Sequence, residues 1–283
     1  MPKSANSLKA KARSLAAVTQ TTVQEVMQNY MLERILVRIS KSIYCDHFVL
    51  KGGLLIASMC GTQSRTTMDM DVMIKGVQFR QEVIHRIINE ILMIEDEDGI
   101  IFEITGIERI REEEEYEGYR FKIIGILENI RNYLSIDIST GDMITPHEIF
   151  YSYKMIFEDD YIRIKAYNLE TILAEKYQTI LDRNGAKGRM KDYYDLWFFS
   201  RSYLSKKDVS ILTEAIDQTF RKRGTIEDLW KAETILMGIK ESKIMEKRWH
   251  DYSLKHNYSM ELSFEDVIHE VLEFSKFITQ RMK

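Results

Sequence analysis

Two aspartates lie one residue apart in the otherwise apolar segment "MDMDVMIK". Side chains alternate between the two faces of a β-strand, so Asp69 and Asp71 share one face while Met70 and Val72 take the other. Carboxylates held side by side repel each other, and partial burial adds to the cost. A divalent cation relieves both penalties, and Mg²⁺ accepts one or two carboxylates together with phosphate oxygens. The pair is either a metal–phosphate site or an exposed strand end that faces water.

A glycine pair precedes this strand in "VLKGGLLIASMC", where residues 54–60 predict a short helix. Glycines at a helix entry let backbone amides approach an anion, and the helix N-terminus favours negative charge. Gly52 and Gly53, after Lys51, therefore fit a phosphate-binding turn. Asp137 in "YLSIDIST" is a third candidate carboxylate if its strand neighbours that of Asp69, and three acids would suggest two-metal phosphoryl transfer. Asp142, in "STGD", is interpreted as a turn residue.

A lysine falls within an apolar stripe of the predicted helix "NLETILAEKYQTILDR". At about 100° per residue, Lys176 lies among Leu169, Ile172, Leu173 and Ile180. An ammonium group on a core-facing side needs a reason. Two are open: the side chain snorkels to the surface, or it reaches a pocket of phosphates and carboxylates.

The next helix, "RMKDYYDLWFFSRSYL", carries two aspartates. Asp192 lies on the face of Leu196 and Phe199, whereas Asp195 is rotated about 60° beyond its edge. Asp192 is therefore the functional candidate, with a first-turn acid favoured by the helix dipole as the alternative. Asp195 is expected to pair with a neighbouring base or to cap a loop. The basic loop between the helices, which begins at Arg183, is either solvated or phosphate-binding.

Composition limits the classes of function. The 283 residues are 45% apolar and 30% charged, as in a soluble globular protein. A net charge of −4 gives no overall attraction to nucleic acid, so such a partner would need local basic patches. Two cysteines exclude a disulfide framework and a cysteine-rich zinc site. No apolar run approaches the roughly 20 residues of a membrane span, and no signal peptide is evident, which predicts a cytoplasmic protein.

The elements that must position these residues fall into two regions. Residues 6–43 and 79–93 have helical periodicity, while 100–110, 119–127 and 133–139 have strand character. A hairpin is predicted over 148–167, and the chain after Asn168 reads as helical. This change predicts a first domain at 1–166 and a helical domain at 167–283.

Four segments together resemble the AbiEii/AbiGii nucleotidyltransferases of bacterial toxin–antitoxin and phage-defence (abortive-infection) systems. They are "LKGGLLIASMCGTQSRTTMDMDVMI", "LSIDISTGD", "YNLETILAEKYQTILDR" and "RMKDYYDLWFF". The resemblance implies an α/β (α+β) fold with a polymerase-β-like mixed sheet, flanking helices and a C-terminal helical domain. It implies a bilobed molecule with the active site in the cleft.

The resemblance also implies roles for the candidate residues. Asp69 and Asp71 would hold Mg²⁺ or Mn²⁺ with Asp137 as a third metal ligand, and Lys176 and Asp192 would be the remaining catalytic motif residues. The side of the site that binds the nucleoside triphosphate (NTP) would be formed by Lys51, Gly52, Gly53, Arg65, Lys176 and Arg183.

The implied function is a toxin that moves a nucleoside monophosphate (NMP) from an NTP to RNA, at the tRNA 3′ end, and so blocks translation. A cognate antitoxin from the adjacent gene is expected. Two alternatives remain open: an NTP-binding (GTP-binding) toxin that acts through protein contact, and an enzyme that transfers NMP to protein.

Overall fold

The structure is a computed structural model, and it describes residues 1–61, 67, 69–111, 117–183, 188–204 and 209–282. The chain divides into two compact units. The first comprises Met1–Asp142 and Glu148–Tyr167, and the second comprises Met143–His147 and Asn168–Lys283. The five residues 143–147, which the sequence analysis assigned to the first domain, therefore group with the helices. Within the described ranges, every helix is too short or too polar to cross a membrane.

The first unit is built on a seven-stranded mixed sheet. Its strands are β1 (Phe48–Lys51), β2 (Asp69–Ile74), β3 (Ile101–Arg111), β4 (Glu117–Leu127), β5 (Ile130–Ser139), β6 (Ile149–Lys154) and β7 (Tyr161–Ala166). The spatial order is β3-β4-β5-β2-β1-β7-β6, and among these seven described strands the pairs β2–β5 and β1–β7 are parallel while the others are antiparallel. The predicted mixed α/β class, the three strands between residues 100 and 139 and the hairpin β6–β7 are confirmed. The two-aspartate strand lies at the centre of the sheet.

In the described part of the first unit, four α-helices accompany the sheet: α1 (Ala5–Thr19), α2 (Val23–Lys41), α3 (Gly52–Cys60) and α4 (Gln81–Leu92). The predicted helical region 6–43 is interrupted because Gln20 adopts a left-handed conformation (φ 54°) and Thr22 forms a capping box with Glu25 that starts α2. α2 and α4 pack against each other and against the sheet. α3 begins directly after β1, which places its N-terminus at the end of that strand.

The second unit is helical, as predicted. Its helices are α5 (Leu169–Asp182), α6 (Met190–Leu204), α7 (Ser210–Lys222), α8 (Ile226–Trp230), α9 (Ala232–Lys240), α10 (Lys243–Ser253) and α11 (Phe264–Arg281). The Tyr177 ring lies 5.6 Å from that of Phe220 and 5.4 Å from that of Phe274, and its hydroxyl is 2.6 Å from Ser275 Oγ. These contacts fix α5 inside the unit, and with it the neighbouring Lys176.

The start of α5 explains why residues 143–147 belong to the helical unit. The Asn168 side chain accepts a hydrogen bond from Thr171 N and donates to the carbonyl oxygens of Thr145 and His147. Thr145 Oγ1 also donates to Gln218 Oε1 of α7 at 2.7 Å. One side chain thus caps the helix and holds the loop that precedes it.

Candidate active site

Four charged side chains form a row across the centre of the sheet. Lys51 on β1 is in register with Asp71 on β2, Asp71 with Asp137 on β5, and Asp137 with Arg120 on β4. Residues in register on adjacent strands point to the same face. The strand of Asp137 does neighbour that of Asp69, which was the condition for grouping the three acids. The row has the charge order plus, minus, minus, plus.

The glycine pair is shaped around Asp71. Gly53 N–H, in the first turn of α3, donates to Asp71 Oδ2 at 3.2 Å. Gly52 has a φ of +64°, and a Cβ atom there would lie 2.0 Å from the same oxygen. Only glycine fits this position, because both the backbone conformation and the carboxylate exclude a side chain. The pair therefore brings a helix N-terminus against an aspartate, while its predicted contact with phosphate stays a prediction.

Lys51 is held at one end of the row by a buried acid. Its ammonium donates to Asp142 Oδ2 at 2.5 Å, and the same oxygen accepts from Tyr167 Oη at 2.7 Å and from Ser139 Oγ at 3.1 Å. Burial would raise the pKa of Asp142, but the charge of Lys51 and these hydrogen bonds outweigh it and keep the pKa below its ordinary value. Asp142 does lie in the loop after β5, as predicted, but it also fixes Lys51 beside Asp71.

Arg120 holds the other end of the row. Its Nε donates to Asp137 Oδ1 at 2.7 Å and its Nη2 to Asp137 Oδ2 at 2.5 Å. The hydrogen bonds that Arg120 donates to Asp137 are the main cause that raises the pKa of Arg120. The charges of Asp137, Asp69 and Asp71 raise the pKa further, against the opposing effect of desolvation. The sequence analysis missed Arg120. Alternation in "YRFKIIGIL" could have identified it, because Arg120 points to the opposite face of the strand from the buried Tyr119 and Phe121.

A shallow pocket opens on this row. Its walls are formed by Lys51, Asp71, Ile110, Gly118, Asp137, Ile138 and Ser139. Acidic and basic groups thus converge on one concave surface of the sheet unit.

Asp69 and Asp71 fit a divalent cation by their chemistry. Both are half-buried hard-oxygen donors on one face of β2. Across the described part of the chain, no group of three or more His, Cys, Asp or Glu side chains is arranged to hold a metal ion. Two carboxylates are enough for Mg²⁺ when a bound phosphate supplies further oxygens. The predicted third ligand, Asp137, would have to share its two oxygens between the ion and Arg120.

In the helical unit, Lys176 binds both aspartates of α6. Its Nζ lies 2.5 Å from Asp192 Oδ1 and 3.3 Å from Asp195 Oδ2. The two acid side chains are 7% and 1% exposed. The predicted pairing of Asp195 with a neighbouring base is confirmed. Its predicted position beyond the buried face is wrong, because α6 packs against α5, α10 and α11 and is covered on several sides.

Two of the predicted nucleotide-binding residues need separate comment. Arg183 is the C-cap of α5, two turns and roughly 10 Å along the axis beyond Lys176, and the residues that follow it, 184–187, are outside the described ranges. Arg65 also lies outside the described residues, so its predicted contact with the nucleotide stays a prediction.

A family profile decides what kind of protein carries this arrangement. The profile described as "Nucleotidyl transferase AbiEii toxin, Type IV TA system" matches residues 34–270. The chain belongs to the AbiEii toxin family. The family resemblance predicted from the sequence is confirmed, and with it the assignment to nucleotidyltransferases and to toxin–antitoxin systems.

The AbiEii chain also resembles two solved structures from Helicobacter pylori. One is JHP933, with 14% identity, coverage of 92% of this chain and 94% of that chain, and a TM-score of 0.48. The other is described as a "putative nucleotidyltransferase", with 14% identity, coverage of 92% and 97%, and a TM-score of 0.49. The search of curated proteins found no match.

The fit between Gly52 and Asp71 gives a testable prediction for this AbiEii protein. We expect Gly52→Ala to lower the free energy of unfolding and to reduce nucleotide transfer roughly 10²-fold, because the new methyl group displaces the Asp71 carboxylate. Gly224→Ala is the matched control: it has a φ of +65° with nothing within 4 Å of the added Cβ. Denaturant unfolding and a transfer assay measure both effects. Equal effects of the two substitutions on transfer would contradict the steric explanation.

Proposed function

We propose that the protein is a metal-dependent nucleotidyltransferase that moves an NMP from an NTP to an RNA acceptor, the 3′ end of tRNA. The modification would block translation and growth in the cytoplasm until the antitoxin system counteracts it. The observation that carries the proposal is the Asp69–Asp71 pair beside the N-terminus of α3, in a chain of the AbiEii family.

In the proposed reaction, a hydroxyl oxygen of the acceptor attacks the α-phosphorus of the NTP. The bond from that phosphorus to the oxygen bridging to the β-phosphate breaks, pyrophosphate leaves, and the hydroxyl proton passes to water. Asp69 and Asp71 would hold a divalent ion, which would neutralise negative charge on the phosphates. Phosphoryl transfer needs alignment and charge stabilisation more than covalent help from the protein.

The chain supplies this alignment through groups that are already fixed. Asp142 holds Lys51 beside Asp71. The positive charge of Lys51 is therefore already in place, and its side chain would not need to move when a phosphate binds. The first turn of α3 adds the partial positive charge of a helix N-terminus. We assign to Lys176, held by Asp192 and Asp195, the role of a second phosphate-binding cation.

Labelled nucleotides test the proposal directly. The purified protein is incubated with each of the four [α-³²P]NTPs, total tRNA and cell lysate, with and without Mg²⁺ or Mn²⁺. We expect label on tRNA only with metal, none from [γ-³²P]NTPs, and none on tRNA whose 3′ end has been oxidised with periodate. Label on protein would instead indicate transfer of NMP to protein. Nucleotide retained without any covalent label would indicate a binding toxin, and either result would overturn the proposal.

A further inference from the structure

We propose that Arg120 binds a phosphate group of the nucleotide and that Asp137 is its positioning residue rather than a metal ligand. The inference rests on the proposed function, because it assigns residues to the nucleotide of that reaction. It concerns the β4–β5 end of the charged row and gives Asp137 a different role from the one expected from its sequence motif.

The first observation is the geometry of the ion pair. Both oxygens of Asp137 accept from Arg120, at 2.7 and 2.5 Å, in a fork that fixes the guanidinium plane. A metal ion at Asp137 would lie beside the positive charge of Arg120 and would have to share carboxylate oxygens that already accept charge-assisted hydrogen bonds. Asp71, directly across on β2, instead accepts on Oδ2 a hydrogen bond from the backbone N–H of Gly53. The two acids in register are therefore held in different ways.

The second observation concerns the N–H donors of Arg120 that are not used by Asp137. Arginine carries five N–H donors, and the two bonds to Asp137 are the hydrogen bonds that the structure gives to the Arg120 side chain within the described ranges. The side chain of Arg120 is 42% exposed, whereas that of Asp137 is 19% exposed. The fork therefore orients a guanidinium that keeps donors for another partner.

The third observation is electrostatic. The Arg120 charge interacts not only with Asp137 but also with Asp69 and Asp71. Because Asp137 is in register with both Arg120 and Asp71, Arg120 lies on the same face of the sheet as the candidate metal ligands. The planar guanidinium stays protonated, and its geometry allows two parallel hydrogen bonds to a phosphate. Lys51 and Arg120 would then place one cation at each end of the charged row, on either side of Asp71 and Asp137.

A purely structural ion pair is the competing explanation, and it predicts different behaviour. Ion pairs that are partly exposed contribute little to stability. Lys122 and Glu108 form such a pair, two residues further along β4, with both side chains more than half exposed. Lys122→Gln is therefore a matched control: it removes a cation from the same strand and face but not from the row.

The test measures metal and phosphate binding separately. Mn²⁺ affinity without nucleotide is measured by electron paramagnetic resonance, and affinity for inorganic triphosphate with Mg²⁺ by calorimetry. We expect Arg120→Gln to weaken triphosphate binding roughly 10–100-fold and Asp137→Asn roughly 10-fold, with Mn²⁺ affinity unchanged in both. Arg120→Lys should recover part of the loss, Lys122→Gln should have no effect, and Asp71→Asn should lose Mn²⁺ binding.

Two results would overturn the inference. If Asp137→Asn weakens Mn²⁺ binding as much as Asp71→Asn does, Asp137 is a metal ligand. If Arg120→Gln leaves triphosphate affinity at the wild-type value, Arg120 does not contact phosphate. Both measurements are independent of the acceptor, so a protein that binds triphosphate through Arg120 but labels no RNA would contradict the proposed function and not this inference. In an active protein, the loss in Arg120→Gln should appear in the KM for NTP more than in kcat.

Discussion

Asp71→Asn is expected to reduce nucleotide transfer and toxicity by roughly 10²–10³-fold or more while leaving the fold intact. Asparagine has nearly the same volume and keeps an oxygen for the hydrogen bond from Gly53 N–H. It removes one of two negative charges that face each other across β2 and β5, so repulsion in the folded state decreases. The charge that would hold the divalent ion is lost, and with it the neutralisation of phosphate charge.

The measurement compares labelled transfer and growth inhibition at equal expression, with circular dichroism to check the fold. Asp159→Asn is the control, because that side chain is 98% exposed and lies outside the charged row. Asp69→Asn should behave like Asp71→Asn. Undiminished toxicity of Asp71→Asn would show that the Asp69–Asp71 pair is not the catalytic centre.

Lys176→Ala should destabilise the protein as well as inactivate it. The substitution leaves Asp192 and Asp195 buried without their shared cation, and one Asp192 oxygen has no hydrogen-bond partner in the described structure even now. Removing one partner from a buried ion pair typically costs about 3–5 kcal/mol. A loss of activity in Lys176→Ala therefore mixes a structural effect with a chemical one.

A triple substitution separates the two effects. Lys176→Gln combined with Asp192→Asn and Asp195→Asn replaces the charges with neutral side chains of similar size. We expect most of the stability to return, whereas binding of inorganic triphosphate and transfer stay lost because no ammonium is present. Lys231→Ala is the matched control, since it breaks an exposed ion pair with Glu227 and should cost no more than about 1 kcal/mol.

Denaturant unfolding, triphosphate calorimetry and labelled transfer measure these effects. Wild-type stability of Lys176→Ala would show that the buried cluster is not held as described. Wild-type transfer activity in the triple variant would show that Lys176 does not bind phosphate.

The local features of this protein could be predicted from its sequence. Strand alternation placed Asp69 and Asp71 on one face, and helical periodicity showed that Lys176 lies in an apolar stripe. The same periodicities identified the helical second half and the strands around Asp137. These predictions succeeded because periods of 2 and 3.6 residues are set by the backbone of a single element. The family could be recognised because its motifs are short, continuous stretches of sequence.

The tertiary structure decided which distant residues meet. Strand register, which depends on partners far apart in the sequence, set Lys51, Asp71, Asp137 and Arg120 in one row. Because α6 is buried on several sides, Asp195 is a second partner of Lys176, at 3.3 Å, beside Asp192 at 2.5 Å. The sequence alone determined which charged residues share one face of a strand or helix. Only the packing of strands and helices determined which opposite charges neutralise one another.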